Sequence, residues 1–519
     1  MEKQVTQKAK KGISRVLYGR TGFIILLVLL QIGILAYTVL MMRDYLFIIY
    51  GIFQVVGIVA IVYIINDGGA PEYRMTWMLC IATLPVVGAL FFIYVKGGIG
   101  TRHIGKRLIQ LRDETSGFME QDMEIISQMK TSRVSNTKLS YYLSNHLSFP
   151  TYSNTEVKYF PLGEDKFRSL LRELKKAEHF IFMEYFIVKE GIMWDSILKI
   201  LEDKVEDGVE VRFMYDGMCS ISMLPYDYPN KLKRRGIKCK MFNPIKPILS
   251  TLQNNRDHRK ICVIDGKVGY TGGVNLADEY INEEVRFGHW KDTAIMLKGD
   301  AVQSLTVMFL QMWNVNGKQP ESYDRYMTKQ TGGFNLKTGY VLPYGDSPFD
   351  NEEVGAEVYL HILNHAREYV HIMTPYLILD YDMMSTLIRV AKSGVEVMII
   401  MPHIPDKQYA FDLAKTYYGE LLGAGVQIYE YTPGFVHAKV FVSDDDTAAV
   451  GTVNLDYRSL YLHFECGVFI YQNPAVYQAE KDFQETLLKC HKVTLMEVQT
   501  RSLYTKIKGH LLRLLAPLM

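Results

Sequence analysis

DHRKICVIDGKVGYTGGVN, residues 257–275, and VHAKVFVSDDDTAAVGTVN, residues 436–454, obey one pattern: H-x-K, four residues, D, six residues, then G-[GT]-x-N. The first copy supplies His258, Lys260, Asp265, Gly272, Gly273 and Asn275, the second His437, Lys439, Asp444, Gly451, Thr452 and Asn454. Successive side chains on a strand point to opposite faces, so His and Lys two apart stand side by side. The small pair that follows lets a returning backbone approach closely, and Asn adds an amide donor. Each copy is half a site, with one imidazole, one positive charge and one neutral donor. A single H-x-K on a strand is commonly structural. Two copies with every spacing kept point to function.

Outward from the motifs the chain repeats with a period of about 180 residues, too long for a solenoid and right for two homologous lobes. In the first copy a helix near 167–176 leads to the apolar run 179–188. A helix over 194–206 then stops at Gly208, and a strand follows at 209–217. In the second, a helix over 354–367 leads to the run 369–378, a helix over 382–392 stops at Gly394, and a strand follows at 395–403. Glycine just past a helix and short β-branched runs between helices predict an α/β unit around a mostly parallel or mixed sheet. The expected division is 1–98, 99–150 as a connector, 151–330 as the first lobe and 331–519 as the second. The stretch 318–348, rich in Gly, Lys and Tyr, reads as the linker.

Three uncharged apolar stretches, 21–42, 45–65 and 75–95, precede the lobes. Each is long enough to cross about 30 Å of hydrocarbon as a helix, and the first is too long for a cleaved signal peptide. Basic residues precede the first (Lys3, Lys8, Lys10, Lys11, Arg15, Arg20) and follow the third (Lys96, Arg102, Lys106, Arg107), so both flanks are expected on the cytoplasmic side. Three full crossings cannot satisfy that. Either one stretch is a re-entrant or interfacial hairpin, the third being the candidate because Pro85 and Gly88 interrupt it, or one basic flank is overridden. The lobes are expected on the cytoplasmic side of the membrane.

Lys plus Arg, 58, nearly balances Asp plus Glu, 56, so no global field recruits nucleic acid. Six scattered cysteines, Cys80, Cys219, Cys239, Cys262, Cys466 and Cys490, form no CxxC and read as buried thiols. At the other end, Leu503, Ile507, Leu511, Leu514 and Leu515 recur at helical spacing while Arg501, Lys506, Lys508 and Arg513 take other positions. That segment either turns its apolar stripe onto the second lobe or lies in the interface of an anionic membrane.

Two imidazoles, two ammonium groups and two amides suit phosphoryl transfer without a metal. The cations and amides clamp the developing charge, one histidine attacks phosphorus, and the other serves as general acid and base. Metal ligation by His258 and His437 with Asp265 and Asp444 is disfavoured because Lys260 and Lys439 would sit beside the cation. No GxSxG supports a serine nucleophile. The histidine-orienting carboxylates are expected at Asp292, in FGHWKDT, and Glu465, in LYLHFECG. Asp265 and Asp444, counted with the motifs, are expected to hold the strand-end turns rather than touch substrate.

The motifs resemble those of the phospholipase D superfamily, over the whole span from about 150 to 519. Within it the chain looks like the bacterial cardiolipin synthase branch. The likeness rests on NNRDHRKICVIDGKVGYTGGVNLADEY, HWKDT, TPYLILD, VGTVNLDYRS, the terminal LLAPLM and the LPVVG of the third apolar stretch. Two departures are Gly273, where many members carry a hydroxyl, and LILD, where a proline is expected after TPY. The resemblance implies a duplicated α/β sandwich, a phosphohistidine intermediate and a catalytic set of His258, Lys260, Asp265, His437, Lys439 and Asp444. It implies that Asn275, Asn454 and Thr452 bind substrate phosphate, with His258 as the nucleophile. The implied reaction joins two phosphatidylglycerols into cardiolipin and glycerol at the bilayer, with no cofactor. A phospholipase D that delivers water, or a synthase with another donor lipid, would carry the same residues.

Overall fold

A computed structural model describes residues 46–518 except 69, 98–100, 133, 245–253, 318–320 and 328–338, together with isolated positions between 26 and 37. The chain through Arg102 forms one compact unit and nearly all the rest a second. In the first unit, most of the expected span 21–42 lies outside the described residues. The expected second span is a helix, Leu46–Ile65. The third is not one helix. It divides into Pro71–Thr83 and Pro85–Lys96, because Pro85 cannot continue the preceding helix. The two pieces fold on each other, with Trp77 against Phe91 and Phe92 at ring separations of 5.3 and 5.4 Å. Gly88 lies so close to the backbone of Cys80 that a Cβ there would fall 2.6 Å from its carbonyl oxygen. Among the described residues no helix is long and apolar enough to cross a membrane.

The second unit contains both lobes. The first lobe's strands are β1 (Thr155–Phe160), β2 (Phe180–Tyr185), β3 (Glu210–Asp216), β4 (Lys238–Phe242), β5 (Ile261–Ile264), β6 (Val268–Gly272), β7 (His289–Lys291) and β8 (Ala294–Gly299). The second lobe's are β9 (Tyr340–Asp346), β10 (Tyr369–Met373), β11 (Glu396–Pro402), β12 (Gln427–Tyr431), β13 (Gly434–Val436), β14 (Val440–Ser443), β15 (Thr447–Gly451), β16 (Glu465–Tyr471) and β17 (Cys490–Lys492). One sheet runs β1-β8-β6-β5-β2-β3-β4, the other β17-β12-β11-β10-β14-β15-β16-β9. In each, three parallel strands (β2-β3-β4 and β10-β11-β12) meet an antiparallel half, so the sheets are mixed and duplicate each other strand for strand apart from β17.

The local reasons repeat as well. The helices Ile192–Glu206 and Tyr381–Lys392 stop where Gly208 and Gly394 take φ of +86° and +96°, a conformation that costs glycine little. Asp380 caps the second helix by accepting from Met383 N at 2.7 Å. One boundary differs from the sequence reading. The supposed linker 318–348 contains β9, which tolerates Pro343 because it lies at a sheet edge.

The lobes pack closely against each other. The helix Val302–Asn314, which follows β8, is buried on almost every face. The helix Pro474–Leu487, its counterpart after β16, reaches back to the first lobe, where Asp482 accepts from Tyr159 OH at 2.7 Å and Lys291 Nζ at 2.8 Å. Thr271 on β6 touches Cys466 on β16 at 3.2 Å. All six cysteines are free.

Candidate active site

Both motif histidines enter their sheets just ahead of a central strand, His258 before β5 and His437 before β14. Each is pinned by the other lobe's backbone. His258 N donates to Phe464 O at 2.9 Å while Phe464 N donates to Arg256 O at 2.8 Å. In the other half β13 lies parallel to β7, and His437 N donates to Lys291 O at 2.7 Å. Main-chain pairing between the lobes thus fixes the backbone of both histidines.

The carboxylates cross in the same way. His258 Nδ1 lies 2.9 and 3.0 Å from the two oxygens of Glu465, and His437 Nδ1 lies 2.6 Å from Asp292 Oδ2. Each lobe thus holds the other lobe's histidine, an exchange that sequence order does not reveal. With Nδ1 engaged, Nε2 is the ring nitrogen left for chemistry. Phe186 edges onto His258 at 4.9 Å, and Tyr280 and Trp290 wall His437 at 5.4 and 5.5 Å. Those aromatics lie in apolar runs or beside the motif and carried no sequence signal beyond core packing. His463 was also missed; its ring is 5.6 Å from that of His258 and its Nδ1 is 3.8 Å from Glu465 Oε1.

The two halves accommodate their carboxylates differently. A Cβ at Gly273 would fall 2.0 Å from Asp292 Oδ1, so the bare glycine makes the space the carboxylate occupies. The other half has Thr452, whose hydroxyl donates to Glu465 and accepts from Cys466 N at 2.9 Å. This revises the expectation that Thr452 offers its hydroxyl to phosphate, because that proton already serves the carboxylate. Asn275 is also partly engaged. Its oxygen accepts from Ile187 N at 3.0 Å and its amide donates to Tyr280 OH at 2.9 Å, leaving one amide hydrogen. Asn454 is buried, and its carbonyl oxygen has no partner among the described residues.

Lys260 and Lys439 are buried, and each ammonium turns back to the carbonyl of its own motif histidine. Burial lowers Lys260 to about 8, against the pull of Glu465. It lowers Lys439 to about 7, opposed by Asp292 and helped by Lys260. Burial likewise pushes His258 well below the ordinary imidazole range despite Glu465, and His437 to about 4 with help from Lys439. Glu465 goes the other way: burial would raise it, but His258 holds it well below the usual carboxylate range. Lys260 acts on His437 across the lobes, so the two half-sites share one field. The histidines are neutral at pH 7, as a nucleophile requires, and the lysines sit near the pH at which a bound anion would fix their charge.

Asp265 and Asp444, counted in the catalytic set, lie at the far ends of β5 and β14 from the histidines. Asp265 accepts from the backbone N–H groups of Glu178, His179 and Phe180, each at 2.8 Å. Asp444 accepts from those of Arg367, Glu368 and Tyr369 at 2.9, 2.9 and 3.1 Å. Each fastens the entry of the neighbouring strand, β2 or β10. Their φ values of 53° and 54° place them in the left-handed turns that Asp tolerates. Among the described residues the single grouping with metal-ligand spacing is His258, His463 and Glu465, and buried Lys260 beside it opposes a dication.

The family model described as cardiolipin synthase, PLD-like domain matches residues 170–313 and 359–487. The chain is 50% identical over 460 residues to an uncharacterized protein of Streptococcus mutans, covering 89% of this chain and 99% of that one. It is 35% identical over 455 residues to cardiolipin synthase 2 of Bacillus anthracis, covering 86% and 87%. The solved structure of phosphatidylserine synthase from Haemophilus influenzae superposes with a TM-score of 0.56 at 13% identity, covering 74% of this chain and 98% of that one, which shows a common fold. With both motif-bearing lobes inside the matched segments and the relatives matched over nearly their full length, this chain belongs to the family of cardiolipin synthases with PLD-like domains.

Proposed function

We propose that this protein is a cardiolipin synthase, transferring the phosphatidyl group of one phosphatidylglycerol to a second and releasing glycerol. The crossed His–carboxylate pairs around two buried lysines carry the reading. They supply one nucleophile, one proton carrier and a cationic seat for a phosphodiester, at one place.

His258 Nε2 attacks phosphorus and the phosphorus–oxygen bond to the headgroup glycerol breaks. His437 gives its proton to the departing alkoxide. The anion lying between Lys260 and Lys439 raises His437 from its resting position near 4, and Asp292 stabilises the cation so formed. Glu465 does the same for the phosphohistidine ring of His258. Lys260, Lys439, Asn454 and the remaining amide hydrogen of Asn275 hold the non-bridging oxygens. A glycerol hydroxyl of the second lipid then gives its proton to His437 and attacks phosphorus, which breaks the phosphorus–nitrogen bond and frees His258. Asp265 and Asp444 support the strands that carry these groups.

The N-terminal unit is read as the membrane anchor. The helix Leu46–Ile65 carries no charged residue and turns Ile52, Val55, Ile58, Val59 and Val62 outward at 54–63% exposure, a surface suited to lipid. The divided segment Pro71–Lys96 supports a re-entrant hairpin, which lets the basic flanks at 3–20 and 96–107 lie on one side, with the lobes in the cytoplasm.

The test is incubation of the full chain in vesicles with phosphatidylglycerol labelled in its headgroup glycerol and acyl chains. Cardiolipin and free labelled glycerol in equal amounts are expected. Phosphatidic acid as the main product would replace the reading with a hydrolase, and product only after another phospholipid is added would change the donor.

A further inference from the structure

The C-terminal helix Leu503–Leu515 packs Gly509 and Leu512 on the second lobe and turns most of its other apolar residues away from it. Its closest approach to the lobe is at Gly509, where a Cβ would fall 2.5 Å from the Thr416 methyl group. Its basic residues point the same way. Lys508 Nζ lies 2.6 Å from Asp412 Oδ2, and Arg513 reaches Glu420 at 3.0 Å while its guanidinium lies 4.4 Å over the Tyr417 ring. The apolar stripe is left outside: Leu503, Ile507, Leu511, Leu514 and Leu515 are 49–73% exposed. Met496, just upstream, is exposed at 74%. A helix fastened by two ion pairs, Gly509 and Leu512 that still presents five large apolar side chains to solvent is built to meet a further apolar phase.

We propose that this stripe is a second lipid contact of the enzyme, lying in the interface of an anionic bilayer. Charge selects lipid over a second copy of the chain. Residues 489–519 contain six Lys and Arg against Glu497 alone; with Lys508 and Arg513 paired to Asp412 and Glu420, Lys489, Lys492, Arg501 and Lys506 remain in excess. Lys492, Arg501 and Lys506 bond the uncharged oxygens of Gln427, Lys415 and Gln499. Two such segments face to face would repel, whereas an anionic surface attracts them. The helix Gln408–Ala414, which carries Asp412, the partner of Lys508, holds the stripe to the second lobe. A bilayer held there would keep the lobe that carries His437 and Lys439 at the surface in which its lipid substrate lies.

The full chain, reconstituted in phosphatidylglycerol vesicles with Leu511 replaced by photoreactive benzoylphenylalanine, should form lipid adducts at position 511 on irradiation. Adducts to a second copy of the chain, or none, would overturn the proposal. In parallel, Ile507→Gln, Leu511→Gln and Leu514→Gln together should lower transfer at least fivefold in vesicles. Transfer should stay within twofold of the parent in detergent micelles containing dispersed phosphatidylglycerol, since these exposed side chains touch neither the site nor the core. Equal transfer in vesicles, or an equal loss in both media, refutes the lipid contact, and the micelle rate reports separately on whether the enzyme is a synthase.

Discussion

Replacing Lys439 by Met should make the protein more stable and abolish its activity. An ammonium in this site is held from an ordinary 10.5 down to about 7, by burial first and by Lys260 in addition. At about 1.4 kcal/mol per tenfold change in acidity, keeping that charge folded at pH 7 costs on the order of 4 kcal/mol. Methionine fills similar volume without the charge, but forfeits the bond to the His437 carbonyl, about 1 kcal/mol. A net gain of about 2–3 kcal/mol is expected at pH 7. The sign follows from the protons. Between pH 7 and 10.5 the unfolded lysine holds a proton the folded one lacks, so the parent's stability rises with pH through that window. The variant's advantage should be largest at and below pH 7 and vanish near 10.5. Denaturant unfolding of both proteins in the same detergent at pH 7 and pH 10 measures this, and transfer of labelled phosphatidyl groups should fall at least about 10³-fold. An advantage of equal size at both pH values would refute burial of charge as its source. Transfer within tenfold of the parent would refute the phosphate seat.

Glu465→Gln and Asp292→Asn should each lower transfer about 10²–10⁴-fold with little change in KM, because each orients a histidine of the other lobe and stabilises its cation; a loss confined to KM would contradict that role. Asp265→Asn should cost about 1.5–3 kcal/mol of stability, since three backbone N–H groups lose a charged acceptor, while folded protein keeps its specific activity; full stability with lost activity would return Asp265 to the reacting set. His437→Ala should leave a phosphatidyl adduct on His258 that peptide mapping can find, and an adduct on His437 in His258→Ala, with none in the first variant, would reverse the two roles.

Much of this was legible in the sequence because it is written locally. Period-two alternation puts His258 beside Lys260 and His437 beside Lys439, glycine stops the helices at 208 and 394, and the repeated spacing announces two matching half-sites. The candidate residues Asp292 and Glu465 were also within reach, since each follows its motif closely in sequence. Which histidine each one serves was not, because the pairing is made by strands of opposite lobes, β7 against β13 and residue 257 against 464, about 145–207 positions apart. No periodicity carries that information. Thr452 illustrates the same limit, since a hydroxyl beside a phosphate-binding motif reads as a phosphate donor until the fold turns it to Glu465. So does the C-terminal helix. Its stripe of leucines was plain, but hydropathy states only that two faces differ. The lobe's own acids, Asp412 and Glu420, drew the basic side inward and left the apolar side out, and only the tertiary structure brings those charges together.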